Sequence, residues 1–76
     1  MLDSDLIEIF PEYKTEIPLL LAQDNDFREV AEDYFFCKKE LEQLLFTTKK
    51  DLIVQYSETL EDLKEELLSR LRHIEI

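Results

Sequence analysis

Apolar side chains fall into two long stretches of helical spacing, preceded by a shorter stretch that two prolines interrupt. In "FREVAEDYFFCKKELEQLL" (27–45), Phe27, Val30, Tyr34, Cys37, Leu41 and Leu44 alternate spacings of three and four. That is the a/d seam of an amphipathic helix. Ala31 and Leu45 widen the seam on one flank, and Phe35 lies near it. Asp26 followed by Glu29 predicts the helix start as a capping-box-like pair. In "LIVQYSETLEDLKEELLSRLRHI" (52–74) the seam returns at Ile53, Tyr56, Leu60, Leu63, Leu67 and Ile74, with Leu71 beside it and Arg70 in a seam position. Arg70, Arg72 and His73 fall in the final turns, where positive charge suits a helix C-terminus. Thr48 with Asp51 predicts the N-cap, and "FTTKK" (46–50) the turn.

Helices over 26–46 and 48–74 with so short a connection predict an antiparallel, coiled-coil-like helical hairpin. The competing reading is one continuous helix, because no residue between 45 and 52 forbids it. The β-branched Thr47 and Thr48 and the cap pattern favour the bend.

The stretch before the hairpin, "LIEIFPEYKTEIPLLLAQ" (6–23), is apolar yet holds Pro11 and Pro18. Pro11 suits the first turn of a helix, where its missing N–H costs nothing, and it biases Phe10 towards an extended backbone. Pro18 leaves two readings open: one helix over 11–22 kinked near Ile17, or two short helices meeting there. Either way a short Pro-containing helical segment over 10–22 presents Phe10, Tyr13, Ile17 and Leu20 on one face. Whether residues 1–9 are ordered stays open. The whole chain reads as one domain of all-α class.

Composition sharpens this. The 76 residues include no glycine, which removes the usual residue of tight β-turns. At 45% apolar the chain is too hydrophobic for a disordered acidic tail. A hairpin seam alone is a thin core at this length. Docking of 6–22, self-association, or both are therefore expected to add burial. The residues expected at such contacts are Phe10, Tyr13, Ile17, Leu20, Phe27, Tyr34, Leu63 and Leu67.

The formal net charge is −10. It is uneven: residues 1–34 carry ten acids against Lys14 and Arg28, a net of −8, whereas 35–76 carry nine acids against seven bases. Such a surface repels phosphate backbones and anionic lipid, so direct nucleic-acid and membrane binding are not expected. It would attract a basic protein partner, although acidity also serves solubility. A single cysteine cannot close an internal disulfide and fits a reducing compartment. "MLDSDLIEIF" has acids where a secretory signal has bases, so the expectation is a soluble, cytoplasmic protein.

Candidate chemistry is sparse. Cys37 occupies a seam position and reads as a small apolar core residue; a redox-linked dimer through it is the remote alternative. His73 reads as a solvated helix-end residue. One Cys and one His cannot build a zinc set, "DNDFREVAEDY" lacks the glycine of a calcium loop, and no glycine means no phosphate-cradling loop. Glu32/Asp33 and Glu61/Asp62 read as solvated faces. No cofactor, metal or catalytic residue is expected.

"FPEYKTEIPLL", "DNDF" and "LKEEL", with the helical spacing between them, resemble the YdcH-like family of small bacterial proteins. The resemblance spans roughly 10–70 and rests on Phe10, Glu12, Tyr13, Ile17, Leu20 and Phe27, then Leu63, Lys64, Glu65, Glu66 and Leu67. Pro18 falls where that family continues a helix. The resemblance implies a cytoplasmic bacterial helical hairpin and no particular activity. The functional expectation is a non-enzymatic interaction protein, most simply a homo-oligomer with a dimer favoured. The rival is an acidic adaptor or decoy for a basic protein.

Overall fold

A computed structural model of the protein describes residues 2–73. Among them the regular elements are helices: α1 (Leu2–Ile9), a 3-10 turn (Pro11–Tyr13), α2 (Glu16–Gln23), α3 (Asn25–Leu44) and α4 (Lys50–Arg72). The last two pack as the expected hairpin. The molecule measures 46 × 21 × 21 Å, a rod whose N-terminal elements gather against one end. That end, holding the start of α3 and the close of α4, is the base; the connection between the helices is the tip.

Residues 2–9 form α1, and the reason is Leu6. It is fully buried in a core with Phe10, Ile17, Leu21, Phe27, Ala31, Tyr34, Leu67 and Leu71. An eight-residue helix is marginal by itself; here its apolar face closes the base. Phe10 ends it outside the helical region, at φ −125° and ψ 67°, since the following proline disfavours helix there; ψ falls short of the extended backbone expected for it. Its N–H still donates to the Leu6 carbonyl at 2.9 Å.

Both prolines are resolved by position. Pro11 opens the 3-10 turn. Pro18 is the third residue of α2, inside the first turn, where N–H groups have no intrahelical acceptor. Of the two readings the sequence left open, the structure takes the pair of short helices, and they meet at Lys14–Thr15 rather than at Ile17.

Helix boundaries differ from the predicted ones for local reasons. The start of α3 is capped by Asp24, not Asp26: its carboxylate accepts from the N–H groups of Asp26 at 2.9 Å and Phe27 at 3.1 Å. Asp24 lies in an extended conformation between two helices, and its own N–H also closes α2 on the Leu20 carbonyl at 2.8 Å. At the tip the predicted Thr48 cap is not made. Lys49 precedes α4 without a side-chain cap, and Thr47 instead donates its hydroxyl to the Leu44 carbonyl at 2.7 Å and accepts from the Lys49 N–H at 3.3 Å. The bend therefore ends α3 with a threonine but does not start α4 with one. Ile74, the last predicted seam residue, lies outside the described residues.

Candidate interaction surface

The eight residues expected at contacts lie within the chain's own packing. Phe10, Ile17, Phe27, Tyr34 and Leu67 are buried, and Tyr13, Leu20 and Leu63 pack half-buried against them. The α1–α2 layer has docked on the hairpin and covered them. These side chains position the molecule; in the folded chain they do not offer a surface.

Polar contacts lock the base. Arg28 donates from Nε to the Leu21 carbonyl at 3.2 Å, satisfying one of the free carbonyls at the end of α2. Arg70, the charge in the seam of α4, approaches Asp24 at 3.8 Å and donates to Glu66 at 3.2 Å. Asp24 thus joins α2, α3 and α4. Exposed pairs of this kind contribute under about 1 kcal/mol each; the register they fix matters more.

Burial stops abruptly along the rod. Every buried residue lies in 6–37 or 67–71, and none lies between Lys38 and Glu66. The seam itself continues there, with Leu41, Leu44, Ile53 and Tyr56 half-buried between only two helices. Large apolar residues face solvent in or beside this distal half: Phe36, Leu45, Phe46, Leu52 and Val54, with Phe46 92% exposed. The contrast of Ala31 with Leu45 shows why. Both were expected to widen the seam on one flank, yet Ala31 is fully buried and Leu45 is 62% exposed. The N-terminal layer covers the first and does not reach the second.

Phe36 and the tip residues were not among the predicted contacts. For Phe36 the signal was in "YFFC": three successive aromatics turn about 100° apiece on a helix and cannot share one core face. Tyr34 is buried, Phe35 packs edge-on to it at 5.1 Å, and Phe36 is left outside. Leu45, Phe46, Leu52 and Val54 had no such signal, because their exposure depends on where α1 and α2 end.

The surface charge is segregated as well. Residues 38–51 hold Lys38, Lys39, Lys49 and Lys50 against Glu40, Glu42 and Asp51, a net of +1, in a chain whose first 34 residues carry −8. Asp5 and Glu8 of α1 line an open recess with Lys38 and Lys39, where the acidic layer meets the lysines.

The two perturbed titratable groups sit where the core ends. Burial pushes the Tyr34 hydroxyl above its ordinary value, with smaller contributions from Glu61 and Cys37. Burial also pushes the Cys37 thiol up. Cys37 packs as expected, 4% exposed, with its thiol donating to the Tyr56 carbonyl at 3.4 Å. A raised thiol value leaves less thiolate at neutral pH, the opposite of what a reactive cysteine requires. His73 closes α4, its Nδ1 2.6 Å from the Ser69 carbonyl. Among the described residues, no group of three or more His, Cys, Asp or Glu side chains could hold a metal ion, and no helix is long and apolar enough to cross a membrane. Compared with protein-family models, curated proteins and solved structures, the chain matches none.

Proposed function

We propose that this chain is a non-enzymatic interaction protein that self-associates, as a dimer, through the apolar surface of the distal hairpin. One observation carries the reading: from Lys38 to Glu66 no residue is buried, although the apolar seam runs on and five large hydrophobic residues stand exposed in or beside that half. Large apolar side chains left in water in one half of the chain favour association, and two-helix seams gain burial when further helices are added. The raised thiol value of Cys37 and the helix-end role of His73 favour association over catalysis. Cytoplasmic location is part of the proposal and is supported by the acidity and the single cysteine. Kinship with the YdcH-like proteins is a further part, resting on the residues quoted for it. Light scattering across the micromolar range tests the central claim. A mass that rises from one chain to two with concentration is expected, and a monomer throughout would refute it.

The second reading, an adaptor for a basic protein, has its own support in the exposed acids of the base, including Asp5, Glu8, Glu12, Asp26, Glu29, Glu32 and Asp33. Charge-driven capture would fade as salt rises, whereas apolar self-association would persist.

A further inference from the structure

We infer that the outer face of α3, centred on Phe36, is the surface that receives a basic partner, and that the partner is an amphipathic helix carrying lysines or arginines beside an apolar residue. This rests on the adaptor reading and deepens it by naming the face and its occupant. Phe36 follows Phe27 by nine residues, half a turn round the axis at about 100° per residue. Phe27 is fully buried and Phe36 is 65% exposed, so Phe36 marks the side of α3 turned away from the core. Leu45, nine residues further on, falls back on the seam side. The face around Phe36 is therefore separate from the apolar residues of the tip.

Residues three and four apart are neighbours on a helix surface. Around Phe36 they are Glu32, Asp33, Lys39 and Glu40, three carboxylates against one ammonium. Glu32 and Asp33 are exposed, as is Glu29 one turn nearer the base. Lys39 lines the recess it shares with Asp5 and Glu8 of α1, whose acids offset it. Among the described residues no ion pair engages Glu29, Glu32, Asp33 or Glu40. These carboxylates attract a cationic partner and repel phosphate or anionic lipid. Phe36 adds a requirement that charge alone does not make: an apolar side chain, or a guanidinium stacked on the ring, must arrive with the cations. A bare metal ion would leave the ring in water. From Glu29 to Glu40 the face runs about 17 Å, the length of a short helix of some three turns laid along it.

Fluorescence anisotropy on the full chain tests this, with a labelled leucine–lysine peptide of about 18 residues patterned as an amphipathic helix. Micromolar binding that weakens as salt is added is expected. Phe36→Ala, and separately Glu32→Gln with Asp33→Asn, should each weaken it about tenfold. Glu58→Gln with Asp62→Asn removes equal charge from exposed positions on α4 and should cost less than about threefold. All these side chains are exposed, so helical circular dichroism should not change. A peptide of the same charge with glutamine in place of leucine should bind about tenfold more weakly. Equal losses from the α3 and α4 pairs, no loss from Phe36→Ala, or a glutamine peptide that binds as well would overturn the α3 face and leave the adaptor reading standing on charge alone. Failure of both peptides to bind at low salt removes the adaptor reading as well.

Discussion

The base and the tip are built from the same two helices and the same kind of seam, yet only the base has an interior. At the base, Phe27, Ala31, Leu67 and Leu71 lose essentially all contact with water because α1 and α2 lie across them. At the tip, Leu41, Leu44, Ile53 and Tyr56 occupy equivalent seam positions and remain half-buried. A seam between two helices shields one side of each apolar residue, and a third layer is needed to shield the other. The difference therefore lies not in the hairpin's own sequence pattern but in how far a 22-residue layer, residues 2–23, extends along a 46 Å rod.

Truncation of a phenylalanine at each end gives the largest expected contrast. Phe27→Ala removes a fully buried ring and should cost about 3–5 kcal/mol, a large share of the ~5–15 kcal/mol that holds a domain together. Phe46→Ala, at 92% exposure, should change the stability of the dilute monomer by less than about 0.5 kcal/mol. Urea denaturation of both variants measures the difference. Comparable losses would mean that the tip has an interior after all. Leu6→Ala belongs with the first variant, at roughly 2–5 kcal/mol, because α1 is part of the base core.

Asp24→Ala probes the joint instead of the core. The residue caps α3 through two N–H groups and approaches Arg70 across the base. Losing the cap should cost about 1 kcal/mol, little of it from the exposed ion pair. The effect should fall when salt is added by no more than the ion pair's small share. If the whole loss vanished at high salt, the cap would not be the cause.

How much of this was legible beforehand divides along the same line. The hairpin was, because Phe27 to Leu44 and Ile53 to Leu67 repeat at three and four, and that periodicity is a property of the chain itself. Core burial of Cys37 followed from the same seam. The exact caps were less legible, since Asp24, Asp26 and Thr47, Thr48 offer equivalent chemistry a residue or two apart, and only the path of the backbone selects among them. Least legible was the division of apolar residues between interior and surface. Phe10, Ile17 and Phe27 could be read as contacts within the chain or with a second one, because sequence does not decide whether the N-terminal stretch docks on its own hairpin; in the structure they lie in the chain's own core. Leu45, expected on the flank of the seam, and Phe46, expected in the turn, stand exposed because that is set by where the layer stops.

A smaller effect, confined to alkaline solution, tests where the core ends. Tyr34 and Cys37 are the last buried residues of α3, and burial raises both above their ordinary values of 10.0 and 9.0. With the folded value raised, the folded chain holds its proton longer than the unfolded chain, so unfolding releases protons and stability falls as pH rises. The contribution is complete below the ordinary values, begins to fade near 9.0 for Cys37 and 10.0 for Tyr34, and is lost through their raised values. Cys37→Ser should remove the earlier part of that decline and leave the later part. An unaltered profile would place Cys37 outside the core, in the open half of the rod.

The smallest expected difference separates two neighbouring threonines. Thr47 donates to the Leu44 carbonyl at 2.7 Å and accepts from the Lys49 N–H at 3.3 Å, whereas the Thr48 side chain makes no hydrogen bond of this kind and α4 begins uncapped behind Lys49. Both sit on the exposed tip, where water replaces a lost partner at little cost, so Thr47→Ala should cost about 0.5–1 kcal/mol and Thr48→Ala close to nothing. The test also reaches beyond the threonines. In dilute solution the tip should tolerate either change with the base unaffected; a Thr48→Ala loss that exceeded Thr47→Ala would move the N-cap of α4 back to Thr48.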